Sequence, residues 1–213
     1  MSGEMPYIIW DWNGTLLDDV QAGVNALNRM LADRGLSPIT KEFYRAHFGF
    51  PVRPFYVQIG MNPEREWDRI CVEFHDYLHE EPQHIRPDTV AALDYVKSHG
   101  GGQSILSALR QDLLLRDTAT EGVQSFFDEI FGVDNLDGAT KLSRGFDLLG
   151  KLNAPTTRPL FFIGDTLHDA EVATALGATA ILVEGGHQSA DRLRAAGHLV
   201  APSLLDAVKS VLD

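Results

Sequence analysis

The apolar run Ile8-Ile9-Trp10 ends in Asp11, and Asn13, Gly14 and Thr15 follow at once. The run predicts a short strand over residues 7–10, buried on both faces of a parallel sheet. Asp11 then stands at the carboxyl end of that strand, where open α/β sheets place their ligands. Asn13-Gly14 forces a turn, Gly14 supplies conformational freedom and Thr15 offers a hydroxyl, so the loop can bring backbone N–H groups to an anion. A second run, Leu160-Phe161-Phe162-Ile163, ends in Gly164-Asp165 and continues through Thr166, Leu167 and His168 to Asp169. Two strands ending in acids describe a site for a hard cation. Mg²⁺ takes oxygen ligands, retains waters and commonly shares a phosphate oxygen with its protein. A third strand, over 103–106, ends in Ser107, a donor suited to a phosphoryl oxygen. Lys141, after Phe131-Gly132-Val133, is a cation able to neutralise substrate charge and the acid cluster together.

The elements that must hold these residues alternate. Helical spacing marks Val90, Leu93 and Val96, then residues 110–121 and 146–152, with later strands over 179–183 and 198–200. Ser203 can cap a last helix carrying Leu204, Leu205, Val208, Val211 and Leu212. Gly100-Gly101-Gly102 reads as a helix stop before the Ser107 strand, since no Gly-Lys-Ser or Gly-Lys-Thr follows it. Repeated strand–helix order predicts an α/β fold with a doubly wound parallel sheet. The alternation breaks between Asp18 and Pro87. There Val20, Val24, Leu27 and Leu31 recur at helical spacing, Gly35 can stop that helix, and Asn62-Pro63 can cap and start another carrying Trp67, Ile70, Phe74 and Leu78. Residues 1–17 and 88–213 are therefore expected to form the core domain, and 18–87 a small α-helical domain inserted after the first strand.

At 213 residues, 44% of them hydrophobic, the chain can bury one substantial core and a small second unit. A net charge of −12 argues against nucleic acid as a partner, because phosphate backbones demand basic surface. Cys71 is the single cysteine, which excludes an internal disulfide, and its place among Trp67, Ile70 and Phe74 predicts buried packing. The expectation is a cytoplasmic protein without a membrane partner, monomeric or a weak homodimer. His75 and His79 lie one helical turn apart without a third ligand, so an exposed helix face is expected rather than a zinc site.

Together the Asp11 segment, the Ser107 strand, Lys141 and Gly164-Asp165-x-x-x-Asp169 resemble, in order, the four motifs of the haloacid dehalogenase superfamily. The tail from Gly164 to His187 looks like its phosphoglycolate phosphatase branch. The resemblance implies a Rossmann-like core and a type-one helical cap that closes over the site. It also implies Mg²⁺-dependent hydrolysis of a small phosphorylated metabolite. Asp11 would be the nucleophile that forms an aspartyl-phosphate. Gly14, Thr15, Ser107, Ala108 and Lys141 would bind the phosphoryl group; Asp11, the position-13 carbonyl, Asp165 and Asp169 would hold or support the metal.

Substrate selection is expected from the cap loop of residues 47–53, where Arg53 could grip a carboxylate or second phosphate bidentately. His168, inside the fourth motif, is a further candidate to reach the site. At position 13 the family's phosphatases carry an Asp that protonates the leaving oxygen and later activates water. Asn13 can do neither, so attack by Asp11 is expected to favour good leaving groups, with dephosphorylation lagging. Two other readings stay open. One is a catalytically impaired protein that binds phosphate metabolites or acts as a regulator. The other is a phosphonatase-like C–P hydrolase, related through an Asp-Trp-Ala-Gly-Thr motif but dependent on a cap lysine, for which Lys41 is the single candidate here.

Overall fold

Tyr7 to Trp10 is an aromatic and β-branched stretch with no charge, and such a stretch is most stable with both faces covered. In the computed structural model, which describes residues 5–134, 141–152 and 158–213, this stretch is strand β1 (Tyr7–Trp10), fully buried at the centre of the sheet. A two-residue strand β2 (Leu17–Asp18) leads to helices α1 (Val20–Asp33), α2 (Lys41–His47), α3 (Arg53–Gln58) and α4 (Pro63–Glu80), and β3 (His84–Ile85) returns the chain. There follow α5 (Thr89–Ser98), β4 (Gly102–Arg110), α6 (Gln111–Thr120), β5 (Glu129–Val133) and α7 (Lys141–Lys151). The chain closes with β6 (Leu160–Gly164), α8 (Leu167–Ala175), β7 (Thr179–Val183), α9 (Ala190–Ala195), β8 (Val200–Ala201) and α10 (Leu204–Leu212).

The main sheet runs β5-β4-β1-β6-β7-β8, and every neighbouring pair is parallel. This is the doubly wound α/β architecture expected from the alternation. Winding proceeds outward from β1 in both directions, so β1, β4 and β6 meet at the topological switch point where a cleft opens at their carboxyl ends. Trp10 pairs in register with Ile105 of β4 and Ile163 of β6, which brings the ends of the three strands level. Between β2 and β3, which pair antiparallel, α1 to α4 pack around an apolar cluster of their own. Val20, Leu27, Met30 and Leu31 of α1 meet Tyr44, Phe55 and Ile70 there. No helix among the described residues is long and apolar enough to cross a membrane.

Several boundaries differ from expectation. β4 continues past Ser107 to Arg110, with its register to β5 shifting between Leu106 and Arg110, so Ser107 sits at a ladder irregularity rather than at a strand end. α7 begins at Lys141, not at residue 146; Phe146 is exposed and gave a misleading apolar signal. The last strand is Val200–Ala201. Asn62 makes no side-chain cap; instead Glu66 reaches back to accept from the Asn62 backbone N–H at 3.2 Å, and Pro63 occupies the first turn. Ser203 caps α10 as expected, accepting from the Asp206 N–H at 3.0 Å.

Gln103 ties the sheet to α5: buried beside β1, its Oε1 accepts from the Trp10 indole N–H at 3.0 Å and its Nε2 donates to Leu93 O at 3.0 Å. Gln103→Leu would strand an indole N–H in the core and should cost about 1–3 kcal/mol. Urea unfolding at unchanged m-value checks it.

Candidate active site

Asp11 leaves β1 with its N–H still donated to Ile163 O at 2.9 Å, and the chain then turns sharply. Trp12 O accepts from the N–H groups of Thr15, Leu16 and Leu17, and Gly14 sits at φ +76°. A side chain there would be strained by the backbone angle and would also strike Asp165, whose Oδ2 lies 2.5 Å from where a Cβ would stand. Glycine thus lets the turn press against the second acid. Thr15 Oγ1 lies between the two, 3.0 Å from Asp165 Oδ1 and 3.3 Å from Asp11 Oδ2.

Asp169 is fixed by a capping box at the start of α8: its Oδ2 accepts from Thr166 N and Oγ1 at 3.0 and 2.7 Å, and Thr166 Oγ1 accepts in return from Asp169 N. Its other oxygen faces Lys141, whose Nζ bridges Asp11 Oδ1 at 2.5 Å and Asp169 Oδ1 at 2.7 Å. Carboxylate oxygens of Asp11, Asp165 and Asp169 come within 4.8 Å of one another, all three buried. Burial pushes Asp11 up to about 8; Lys141 opposes the shift, and the neighbouring Asp169 and Asp165 add to it. Asp165 is raised to about 6, again chiefly by burial. For Asp169 burial is overridden by Lys141 and Thr166, which hold its carboxyl below the usual range. The donor set is oxygen-only, buried and short of positive charge, which fits a hard cation such as Mg²⁺.

Asn13 has a different partner. Its Nδ2 donates to Asp19 Oδ2 at 2.8 Å, while Asp19 Oδ1 accepts from Gly14 N at 2.8 Å and lies 3.2 Å from His187 Nε2. Burial works against ionisation of Asp19, but His187, Asn13 and Gly14 together lower its pKa. Burial likewise opposes charge on His187, yet Asp19 and Asp165 raise it to about 9. The His187 backbone N–H donates to Asp165 Oδ2 at 2.5 Å, and its ring Nδ1 meets Tyr44 Oη at 2.8 Å. Asp19 and His187 escaped the sequence reading as site residues. Their signal was present, Asp19 beside the first motif and His187 in the tail quoted with the fourth, but nothing in the spacing says that the two meet.

A cavity of about 170 Å³ lies over Asp11 and is lined also by Asn13, Asp19, Ser107, Ala108, Lys141, Asp165, Asp169 and His187. Ser107 Oγ accepts from Leu109 N–H at 3.0 Å, leaving its own proton to donate. The opposite wall comes from the inserted helices, and the 47–53 loop does face the sheet. Phe48 O accepts from Gln188 Nε2 at 3.1 Å and from Arg192 Nη1 at 2.5 Å, and Arg45 Nε donates to Gly186 O at 2.9 Å.

Four side chains fall elsewhere than expected. Arg53 is exposed and outside the cavity lining; its guanidinium sits 4.5 Å over the Trp67 ring, where a cation–π contact holds it. His168 also stands outside the lining, stacked on Phe50 with centroids 4.8 Å apart. Cys71 and His75, expected as core packing and exposed face, are both half-buried in the cavity wall. They point there because α4 turns a broader face inward than its apolar stripe. His79 is exposed, and Lys41 at the start of α2 is not in the lining.

This arrangement has known relatives. A family model described as haloacid dehalogenase-like hydrolase matches residues 8–183, and the chain belongs to that family. It is 27% identical over 202 residues to "Probable phosphatase IndB" of Dickeya dadantii, spanning 90% of this chain and 86% of the relative. It is 25% identical over 207 residues to "Phosphoglycolate phosphatase" of Chromobacterium violaceum, spanning 88% and 89%. A crystal structure of a predicted phosphatase from Clostridium acetobutylicum superposes with a TM-score of 0.82 at 20% identity, covering 98% of each chain, and shares the fold.

Asp11 and Asp165 bind protons more tightly in the fold than in the unfolded chain, where carboxyls titrate near 3.8. Their contribution to metal-free stability therefore falls as pH rises from about 4, through about 6 for Asp165, to about 8 for Asp11. A Mg²⁺ ion held by this cluster would bind the ionised forms, so added Mg²⁺ should raise Tm more near pH 8 than near pH 5. Thermal melts with and without the ion at both pH values test this, and equal shifts would contradict it.

Proposed function

We propose that this chain is a Mg²⁺-dependent phosphatase of small phosphate monoesters acting through an aspartyl-phosphate on Asp11. The observation that carries the reading is Asp11 itself: a buried carboxylate at the switch point of the sheet, aimed into a cavity and clamped by Lys141 beside two further acids. The names of the two relatives are in keeping with it. Asp11, the Asn13 carbonyl and Asp165 would hold Mg²⁺, which supplies charge neutralisation for the phosphoryl oxygens. Asp169 has both oxygens engaged by Lys141 and the capping box, so its part is to position the lysine and the loop.

Lys141, Ser107 and the backbone N–H groups of Trp12, Asn13 and Ala108 orient the phosphoryl group for in-line attack by Asp11. The P–O bond to the leaving group breaks as the bond to the Asp11 oxygen forms. Water then attacks phosphorus and returns the Asp11 carboxylate. The inserted unit, residues 18–87, acts as the cap; docked through Arg45, Tyr44 and Phe48, it keeps bulk water from the intermediate.

Asn13 is committed to Asp19 and offers no acidic proton, which also favours a second reading, a phosphate-metabolite binder with little turnover. Phosphate release from p-nitrophenyl phosphate and an alkyl phosphate, with and without Mg²⁺, separates the two. Asp11→Asn should lower release by at least about 10³-fold. Asn13→Asp should raise alkyl-ester turnover by about 10²-fold or more. It should also destabilise the fold by about 1–3 kcal/mol at neutral pH, because it sets a carboxylate against Asp19. Mg²⁺-dependent binding of phosphate compounds with no release from any ester would select the binder.

A further inference from the structure

Beyond the phosphoryl site the cavity changes character. Phe48, Phe50, Phe55, Trp67, Phe74 and Leu78 face it. Phe48 meets Phe50 and Phe55 edge-on, with centroids 5.7 and 5.6 Å apart, so this wall is interlocked before any ligand arrives. The cations in the lining are already paired: Lys141 with Asp11 and Asp169, Arg110 with both oxygens of Asp112 at 2.5 and 2.8 Å, and His187 with Asp19. His75 stands edge-on to Phe74, with centroids 5.8 Å apart, and also borders an adjoining groove. A glycolate-like carboxylate placed here would lose its water against aromatic carbon, whereas a ring would gain contacts. The whole cavity, phosphoryl end included, holds about 170 Å³, which limits the organic part of a substrate to one small ring.

Position 13 points the same way by independent chemistry. Without an acid at Asn13 the leaving oxygen must depart unprotonated. A phenolic oxygen, with a pKa of about 10, does so far more readily than an alkoxide, whose parent alcohol resembles water at about 15.7.

Resting on the phosphatase reading above, we propose that the substrate is an aryl phosphate, the phosphate monoester of a small, uncharged, single-ring phenol. The Asp11 oxygen attacks phosphorus, the P–O(aryl) bond breaks, and its electron pair leaves as phenolate, which takes a proton from solvent. Water then cleaves the aspartyl-phosphate to inorganic phosphate, and the two steps together consume one water.

Initial rates with Mg²⁺ on phenyl, benzyl and acetyl phosphates and 2-phosphoglycolate separate the ring from the leaving group. KM for the phenyl and benzyl esters should lie at least about tenfold below that for acetyl phosphate and 2-phosphoglycolate. The first turnover, which reports attack by Asp11 before the common aspartyl-phosphate is hydrolysed, should be at least about 10²-fold faster for phenyl and acetyl phosphates than for the benzyl ester. Phe74→Ala should raise KM for phenyl phosphate about tenfold more than for acetyl phosphate, and the milder Phe50→Leu should move it in the same direction. Asp11-dependent hydrolysis of acetyl phosphate, with 2-phosphoglycolate equal to or better than phenyl phosphate in kcat/KM, overturns the substrate class and leaves the phosphatase reading standing. No Asp11-dependent release from any of the four overturns both.

Discussion

Three carboxylates buried around one point form the constraint on which the site depends. Asp11, Asp165 and Asp169 repel one another where water cannot screen them, and each is held by groups arriving from elsewhere in the chain. Lys141 comes from the start of α7, the Thr15 hydroxyl from the first turn, Thr166 from the cap of α8, and a peptide N–H from His187. The parallel sheet makes the convergence unavoidable. β1 lies between β4 and β6 in register, so residues just beyond their ends are neighbours whatever their charge. Burial, with mutual repulsion added, raises Asp11 and Asp165 in spite of Lys141 and His187, and an oxygen-only cluster of this kind fits a hard cation.

Against that background the amide at position 13 has a structural logic. A fourth carboxylate already stands at the edge of the cluster, Asp19, and it gathers the Asn13 amide, the Gly14 N–H and the His187 ring. An acid at position 13 would face Asp19 at hydrogen-bonding distance and would have to keep its proton to stay there. Asn13 carries no acidic proton, and its amide is a donor that pins the turn carrying Asp11. On the aryl-phosphate proposal the two features agree: the aromatic wall would admit a ring, and the amide would suit a leaving group that needs no proton.

Much of this was legible in the sequence because strands advertise themselves. Apolar runs ending in Asp11 and Asp165 fixed two arms of the site, and the strand–helix alternation fixed the sheet. Lys141 was legible as a cation, although the exposed Phe146 hid the true start of its helix. What periodicity could not show were contacts between distant segments. Asp19 and His187 meet only because Gly14 and Gly186 let two loops approach Asp165 closely. Arg53 looked free to grip an anion, but one turn of α4 supplied Trp67 for it to cover. Trp67, Cys71 and Phe74 carry the helical pattern of a core, and a pattern of that kind cannot distinguish a packed interior from a cavity wall.

His187 connects matters that the sequence keeps apart. Its peptide N–H holds Asp165, its Nε2 faces Asp19 and the Asn13 turn, and its Nδ1 meets Tyr44 of the inserted helices. The neighbouring carbonyls of Gly185 and Gly186 accept from Arg45, and Gln188 and Arg192 reach Phe48. The segment after β7, from Gly185 to Arg192, therefore meets the carboxylate cluster on one side and the inserted helices on the other. Peptide and ring of a single residue cannot move independently by more than a rotamer allows. Tyr44 thus meets a ring whose other nitrogen steadies Asp19, and Asp19 in turn holds the turn that carries Asp11. The inserted helices and the carboxylate cluster are thus coupled through one residue, and the aromatic side chains that line the cavity belong to the inserted segment.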